Sequence, residues 1–154
     1  MKNRHFRTSF KHAADGIVYA LRCERNFRTD IVCAAYVIWF ASACGLSGTE
    51  WAVLFAVIGA VLFAELINTA IERAVDAFSE ERSEAAKNSK DAAAGAVLVM
   101  ALGAAAAGVA VFVRGGHIAD AISAIVHSPA RIAVFAALTA AGAWFVFLFG
   151  KNKK

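Results

Sequence analysis

The chain has 154 residues, 60% of them hydrophobic, with a mean hydropathy of +0.59, a single proline and a formal net charge of +4. This composition excludes an ordinary soluble domain and points to an all-α membrane protein. Cys23, Cys33 and Cys44 form no CxxC pair, so neither a disulfide framework nor a thiolate metal site is expected, and no nucleic-acid partner is expected.

The first segment, "MKNRHFRTSFKHAADGIVYALRCERNFRTD", has no apolar h-region or small-residue cleavage site and is not read as a signal peptide. Phe6, Phe10, Ala13, Ala14, Ile17, Val18, Ala20 and Leu21 recur at spacings of three and four, with Arg4, Arg7, Lys11 and Arg22 between them. That pattern predicts a basic amphipathic helix over about 5–26, lying in the headgroup plane of a bilayer. A first span follows at about 31–46 and a second at about 50–78, apolar to residue 64 and polar beyond it. A third covers about 84–113, and a further apolar segment lies at 131–149. A hydrocarbon core about 30 Å thick needs roughly 20 apolar residues, which these segments approach within the usual latitude of tilt and length. Residues 1–113 therefore form the expected core, 131–149 an additional C-terminal span, and 114–130, with Gly115, Gly116, His117, Asp120 and Pro129, a break between them.

Positive charge sets the orientation, because short loops rich in Lys and Arg stay in the cytoplasm. With the N-terminus inside and four spans, 16 Lys and Arg residues divide so that only Arg114 and Arg131 fall outside. The "GKNKK" tail then lies in the cytoplasm, as does the loop "SEERSEAAKNSKD".

Chemistry concentrates in "AELINTAIERAVD", residues 64–76. On a helix Glu65, Asn68, Glu72 and Asp76 share one narrow face, bordered by Thr69. Glu65 is about 22 Å along the helix from Glu50, at or just inside the inner hydrocarbon boundary. A carboxylate there is costly unless it faces a bundle interior or a watery site. A plainer reading has Arg73 pairing with Glu72 or Asp76 of neighbouring chains. Glu24, in "RCERNF", belongs at the same depth. Carboxylates brought together repel, and a hard divalent cation with oxygen ligands neutralises them; magnesium held by one or two carboxylates plus substrate phosphates is the arrangement of phosphoryl-transfer sites. Lys87, Lys90 and Asp91 precede the third span, where a lysine can hold phosphate oxygens.

The sequence has no GxxxxGK[ST] loop, kinase Gly-rich loop, HRD/DFG set or GxSxG, and His5, His12, His117 and His127 are scattered. Nucleotide chemistry here would run without the usual nucleotide fold. A transporter or proton relay would also use intramembrane acids, but near the midplane of several spans, whereas these cluster at one edge.

The stretches "FKHAADGI", "ERNFR", "EWAVLFAVIGAVLFAELINTAIERAVD" and "AKNSKDAAAGAV", in that order, resemble the small integral-membrane lipid kinases of bacteria, the prokaryotic diacylglycerol kinase and undecaprenol kinase family. The resemblance covers about residues 9 to 113. It implies a surface helix and three transmembrane helices per chain, a homotrimer with active sites between subunits, and transfer of phosphate from ATP to a lipid alcohol. In that light Glu65 is the expected general base, supported by Asn68. Glu24 and Glu72 are the expected magnesium ligands and ATP contacts, Lys90 and Asp91 the nucleotide and phosphate contacts, and Glu65 with Asp91 the lipid contacts. "ERNF", "EW" and "NTAIE" with "KDAAAGAV" are closer to the undecaprenol kinase branch. Thr29 and Asp30 after "ERNFR", and a polar loop without His-Pro, depart from it. Residues 131–149 add a segment beyond the three-span core.

Overall fold

A computed structural model describes residues 2–78 and 83–149, with side chains from residue 7 onward. Of the charges used above, Arg82, Lys151, Lys153 and Lys154, and the side chains of Lys2 and Arg4, lie outside the described residues.

Helix α1 (Lys2–Cys23) carries the expected amphipathic pattern and ends at Glu24, whose backbone is extended at φ −104° and ψ 115°. Phe10 and Val18 are exposed, as residues of a face meant for a bilayer interface are. Helix α2 (Arg25–Ala41) begins one residue later and stops short of the span expected at 31–46. Its stop is local: Gly45 takes φ +61°, a left-handed turn conformation open to glycine, and the chain reverses there. Helix α3 (Gly48–Phe78) starts on a reciprocal cap. The Ser47 N–H and hydroxyl donate to Glu50 Oε2 at 2.8 and 2.7 Å, and the Glu50 N–H donates to Ser47 Oγ at 3.3 Å. Helix α4 (Glu84–Gly108) is capped by Ser83, whose hydroxyl accepts from the Ala86 N–H, and its last turn widens into a π-helical stretch, Val109–Arg114.

The region expected as a plain break holds a short helix, α5 (Ile118–Val126), after Gly116 at φ +75°. His117 Nε2 meets Glu50 Oε1 at 2.9 Å, which ties this crossover to the start of α3. Helix α6 (Pro129–Phe147) begins with proline in its first turn and the Ser128 hydroxyl accepting from Arg131 N–H, both usual helix-start devices.

Among the described residues, three segments are long and apolar enough to cross a membrane: Gly48–Phe78, Glu84–Arg114 and Pro129–Phe147. Helix α2, with 17 residues, is about 25 Å long. Helices α3 and α4 pack most extensively, α2 lies against both α3 and α6, and α1 touches α2 and α3. Ala41, Leu54 and Val111 form a buried cluster at the end of the bundle away from the polar stripe.

Helix α6 runs antiparallel along the whole of α2. Arg131 donates to Ser42 Oγ at 3.1 Å and to the Ser42 carbonyl at 3.2 Å. Next come Phe135 against Trp39 and Tyr36, with ring centroids 5.1 and 5.7 Å apart, then the Tyr36 hydroxyl on Thr139 Oγ1 at 2.9 Å. Gly142 follows, lying so close to Val32 that a Cβ would come within 2.9 Å of Val32 Cγ1. At the far end Arg28 reaches the Val146 carbonyl at 3.3 Å. The added segment is a full-length partner of α2.

Candidate active site on the polar stripe of α3

The helical register of α3 turns Glu65, Asn68 and Thr69 into the protein, where they are 4%, 9% and 7% exposed. In a helix whose other side carries Phe55, Phe63 and Ile67 outward, these are the buried polar residues. Burying a carboxylate and an amide without use is costly, so this face is built for partners. Asn68 Nδ2 donates to Glu72 Oε1 at 3.0 Å, one turn along, which orients both groups. Asn68 Oδ1 is buried and accepts no hydrogen bond among the described residues. It is a free acceptor beside Glu65.

The corner between α1 and α2 brings a second group of acids to this face. The carboxylates of Asp30, Glu72 and Glu24 all lie within electrostatic reach of Glu65. Glu24 Oε1 accepts from Arg73 Nη2 at 3.3 Å, and the Arg73 guanidinium also lies 5.3 Å from the centroid of the Tyr19 ring. Sequence reasoning paired Arg73 with Glu72 or Asp76 of neighbouring chains; the structure gives it to Glu24 of its own chain. This pair is half-exposed and hence weak.

Further along, Lys90 of α4 forms an ion pair with Asp76, the last member of the stripe. Asp91 is exposed and makes no ion pair among the described residues. The fold therefore joins Glu65, Asn68, Glu72 and Glu24, ties Lys90 to the same helix one turn beyond, and leaves Asp91 at the edge. Asp30, noted in the sequence only as a departure from the undecaprenol kinase branch, and Arg73, read there only as a structural pair, are the members that sequence reasoning did not place at the site. An acid and a base within one or two turns of the depth of Glu24 and Glu72 were the available signals.

Between α1 and α3 a cleft of about 370 Å³ opens beside this site, lined by Gly16, Ile17, Ala20, Leu66, Thr69 and Arg73. Its lining is mostly apolar, with Thr69 and Arg73 as polar members. Among the described residues no three His, Cys, Asp or Glu side chains converge into a metal cage. The donors present are oxygens only, Glu24 and Glu72 among them, with an unpaired amide oxygen nearby. That set fits magnesium, which keeps several waters and shares phosphates, and would not hold a fully protein-coordinated ion.

The prokaryotic diacylglycerol kinase family model matches residues 11–112. The chain is 42% identical to the undecaprenol kinase of Bacillus subtilis over 110 residues, which are 71% of this chain and 89% of that protein. It is 41% identical over 101 residues to a diacylglycerol kinase of Synechocystis, covering 65% of this chain and 58% of the relative. It is 34% identical over 101 residues to one from Helicobacter pylori, covering 64% and 79%. No solved structure matches the chain significantly. With its apolar helices and bacterial relatives, the chain is a bacterial membrane protein. It belongs to the prokaryotic diacylglycerol kinase family and is a lipid kinase, with ATP as its co-substrate.

Proposed function

We propose that the chain phosphorylates undecaprenol to undecaprenyl phosphate at the cytoplasmic face of the plasma membrane. The observation that carries the reading is the stripe of buried Glu65 and Asn68 with Glu72 one turn on, met by Glu24 at the α1–α2 corner, beside a mostly apolar cleft that Thr69 and Arg73 border. A lipid alcohol needs both: a greasy channel for its chain and a base at the depth of its hydroxyl.

In this reading Glu65 accepts the proton as the lipid oxygen attacks the γ-phosphorus of ATP. The new O–P bond forms, the bond to the β–γ bridging oxygen breaks, and ADP leaves. Asn68, held by Glu72 one turn on, supports Glu65 from the same face of the helix. Magnesium, bound through Glu24 and Glu72, would supply charge neutralisation for the phosphates. With that cation bound, Glu24 would no longer need Arg73, whose guanidinium would be left for phosphate oxygens, which its fork geometry suits. Lys90 and Asp91 contact the nucleotide from α4. The protein's part is mostly positioning, since phosphoryl transfer asks little covalent chemistry of it.

The antiparallel course of α6 along α2 supports a fourth crossing, which returns the chain's end to the side of Glu24 and favours a cytoplasmic N-terminus and C-terminus together. Homotrimeric assembly follows from the resemblance of the core to its family.

Acceptor choice is tested with purified protein, labelled ATP and each lipid alcohol in turn. Undecaprenol is expected to give the higher kcat/KM, in keeping with the relative matched over most of its length. The second reading, diacylglycerol as acceptor, is favoured by Asp30 beside Glu65 and by the other relatives, and would show the reverse order.

A further inference from the structure

Arg28 is 7% exposed, yet no carboxylate among the described residues pairs with it. Its guanidinium is spent on backbone. Nη1 donates to the Leu21 carbonyl at 2.9 Å and the Arg22 carbonyl at 3.2 Å, and Nη2 to the Val146 carbonyl at 3.3 Å. Leu21 and Arg22 lie in the last turn of α1, and Val146 in the last turn of α6. Carbonyls in a last helical turn lack intrahelical partners and carry the negative end of the helix dipole. One buried cation therefore closes two helix ends at once.

Glu24 is the single non-helical residue between α1 and α2. The direction of its carboxylate is set by how the end of α1 meets the start of α2, and Arg28 fixes that meeting. Helix α6 is held in register for the purpose by Arg131 on Ser42 at one end and by the close approach of Gly142 to Val32 near the other. The family match ends at residue 112, so this support comes from outside the matched core.

We infer that Arg28 and the end of α6 form a positioning device for Glu24, so that the added helix tunes how the kinase holds its divalent cation and nucleotide. The inference rests on the reading of Glu24 as a metal ligand. Groups that orient a ligand from behind are typically worth about 10- to 100-fold in metal affinity.

The test uses the full chain in lipid nanodiscs, with manganese and ADP as the probe and binding read by electron paramagnetic resonance, alongside the KM for the lipid. Arg28→Lys keeps the charge but cannot bridge three carbonyls with one planar fork. Gly142→Val drives a wedge into the α2–α6 seam, because β-branched Val32 has little freedom to move aside. Exchanging the two side chains, with Gly142→Val and Val32→Gly together, restores the room. Arg28→Lys should weaken manganese binding about 10-fold or more with the lipid KM unchanged. Gly142→Val should shift it the same way, and the exchange should recover it. If Glu24→Gln weakens binding while Gly142→Val and Arg28→Lys bind as the parent does, α6 plays no part in positioning Glu24. If Glu24→Gln itself binds normally, the metal reading falls and takes this inference with it.

Discussion

Replacing Glu65 with Gln should lower turnover by about 10²- to 10⁴-fold, the loss usual when a general base is removed. The argument rests on depth and burial together. Glu65 is the most buried charged residue of the stripe, on a helix whose surroundings are apolar, and Asn68 Oδ1 beside it is an unpaired acceptor. Gln keeps the volume and can still hydrogen-bond, so Glu65→Gln should insert, assemble and show the parent's helical content. A neutral amide is also cheaper to bury than a carboxylate, so stability should not fall. Only proton removal is lost. Turnover measured with labelled ATP and saturating lipid decides it: a purified Glu65→Gln protein with near-parental kcat would take Glu65 out of the role of base.

Glu72→Gln and Glu24→Gln should each raise the magnesium concentration needed for half-maximal rate, by about 10-fold or more, and weaken the use of ATP in parallel. Neither change should unfold the protein. In Glu72→Gln the new amide oxygen can still accept from Asn68 Nδ2, and the Glu24–Arg73 pair is half-exposed, so its loss costs little. Magnesium titrations of rate, at fixed ATP, give the comparison. If both variants titrate as the parent does, these carboxylates are structural, with Glu24 serving only to hold Arg73.

Much of this was legible in the sequence because it depends on short-range periodicity. Positions 65, 68 and 72 fall on one face of any helix, and an apolar run feeding into them fixes their depth. The junction near Glu24 was legible only coarsely: the amphipathic pattern reads on to about residue 26 and the apolar run begins at 31, whereas α1 ends at Cys23 and α2 starts at Arg25 with the polar "RNFRTD". What lay beyond reach depends on contacts distant in the chain. Arg28 counts in the sequence only as one more inside charge, and nothing local says that its partner is the Val146 carbonyl, a backbone atom 118 residues away. Arg131 likewise is an outside charge until α6 is laid along α2 and it meets Ser42. The short helix α5 was missed because Gly115, Gly116 and Pro129 mark the edges of the crossover and say little about its middle, where "IADAISAIV" has ample helical pattern. The end of α2 at Ala41 was misplaced because "SACGL" is apolar enough to extend a span, while the turn depends on Gly45 taking a positive φ.

The central claim is that the stripe of α3 joins a lipid hydroxyl to ATP at the cytoplasmic edge of the membrane, and sidedness tests it most directly. Sealed vesicles bearing the protein are prepared in inverted and right-side-out form from the same cells, supplied with undecaprenol, and given labelled ATP and magnesium outside. Label should enter undecaprenyl phosphate in the inverted vesicles at once, and in the right-side-out vesicles only after they are made permeable. Label appearing in sealed right-side-out vesicles, or in neither preparation even after permeabilisation, would contradict the account.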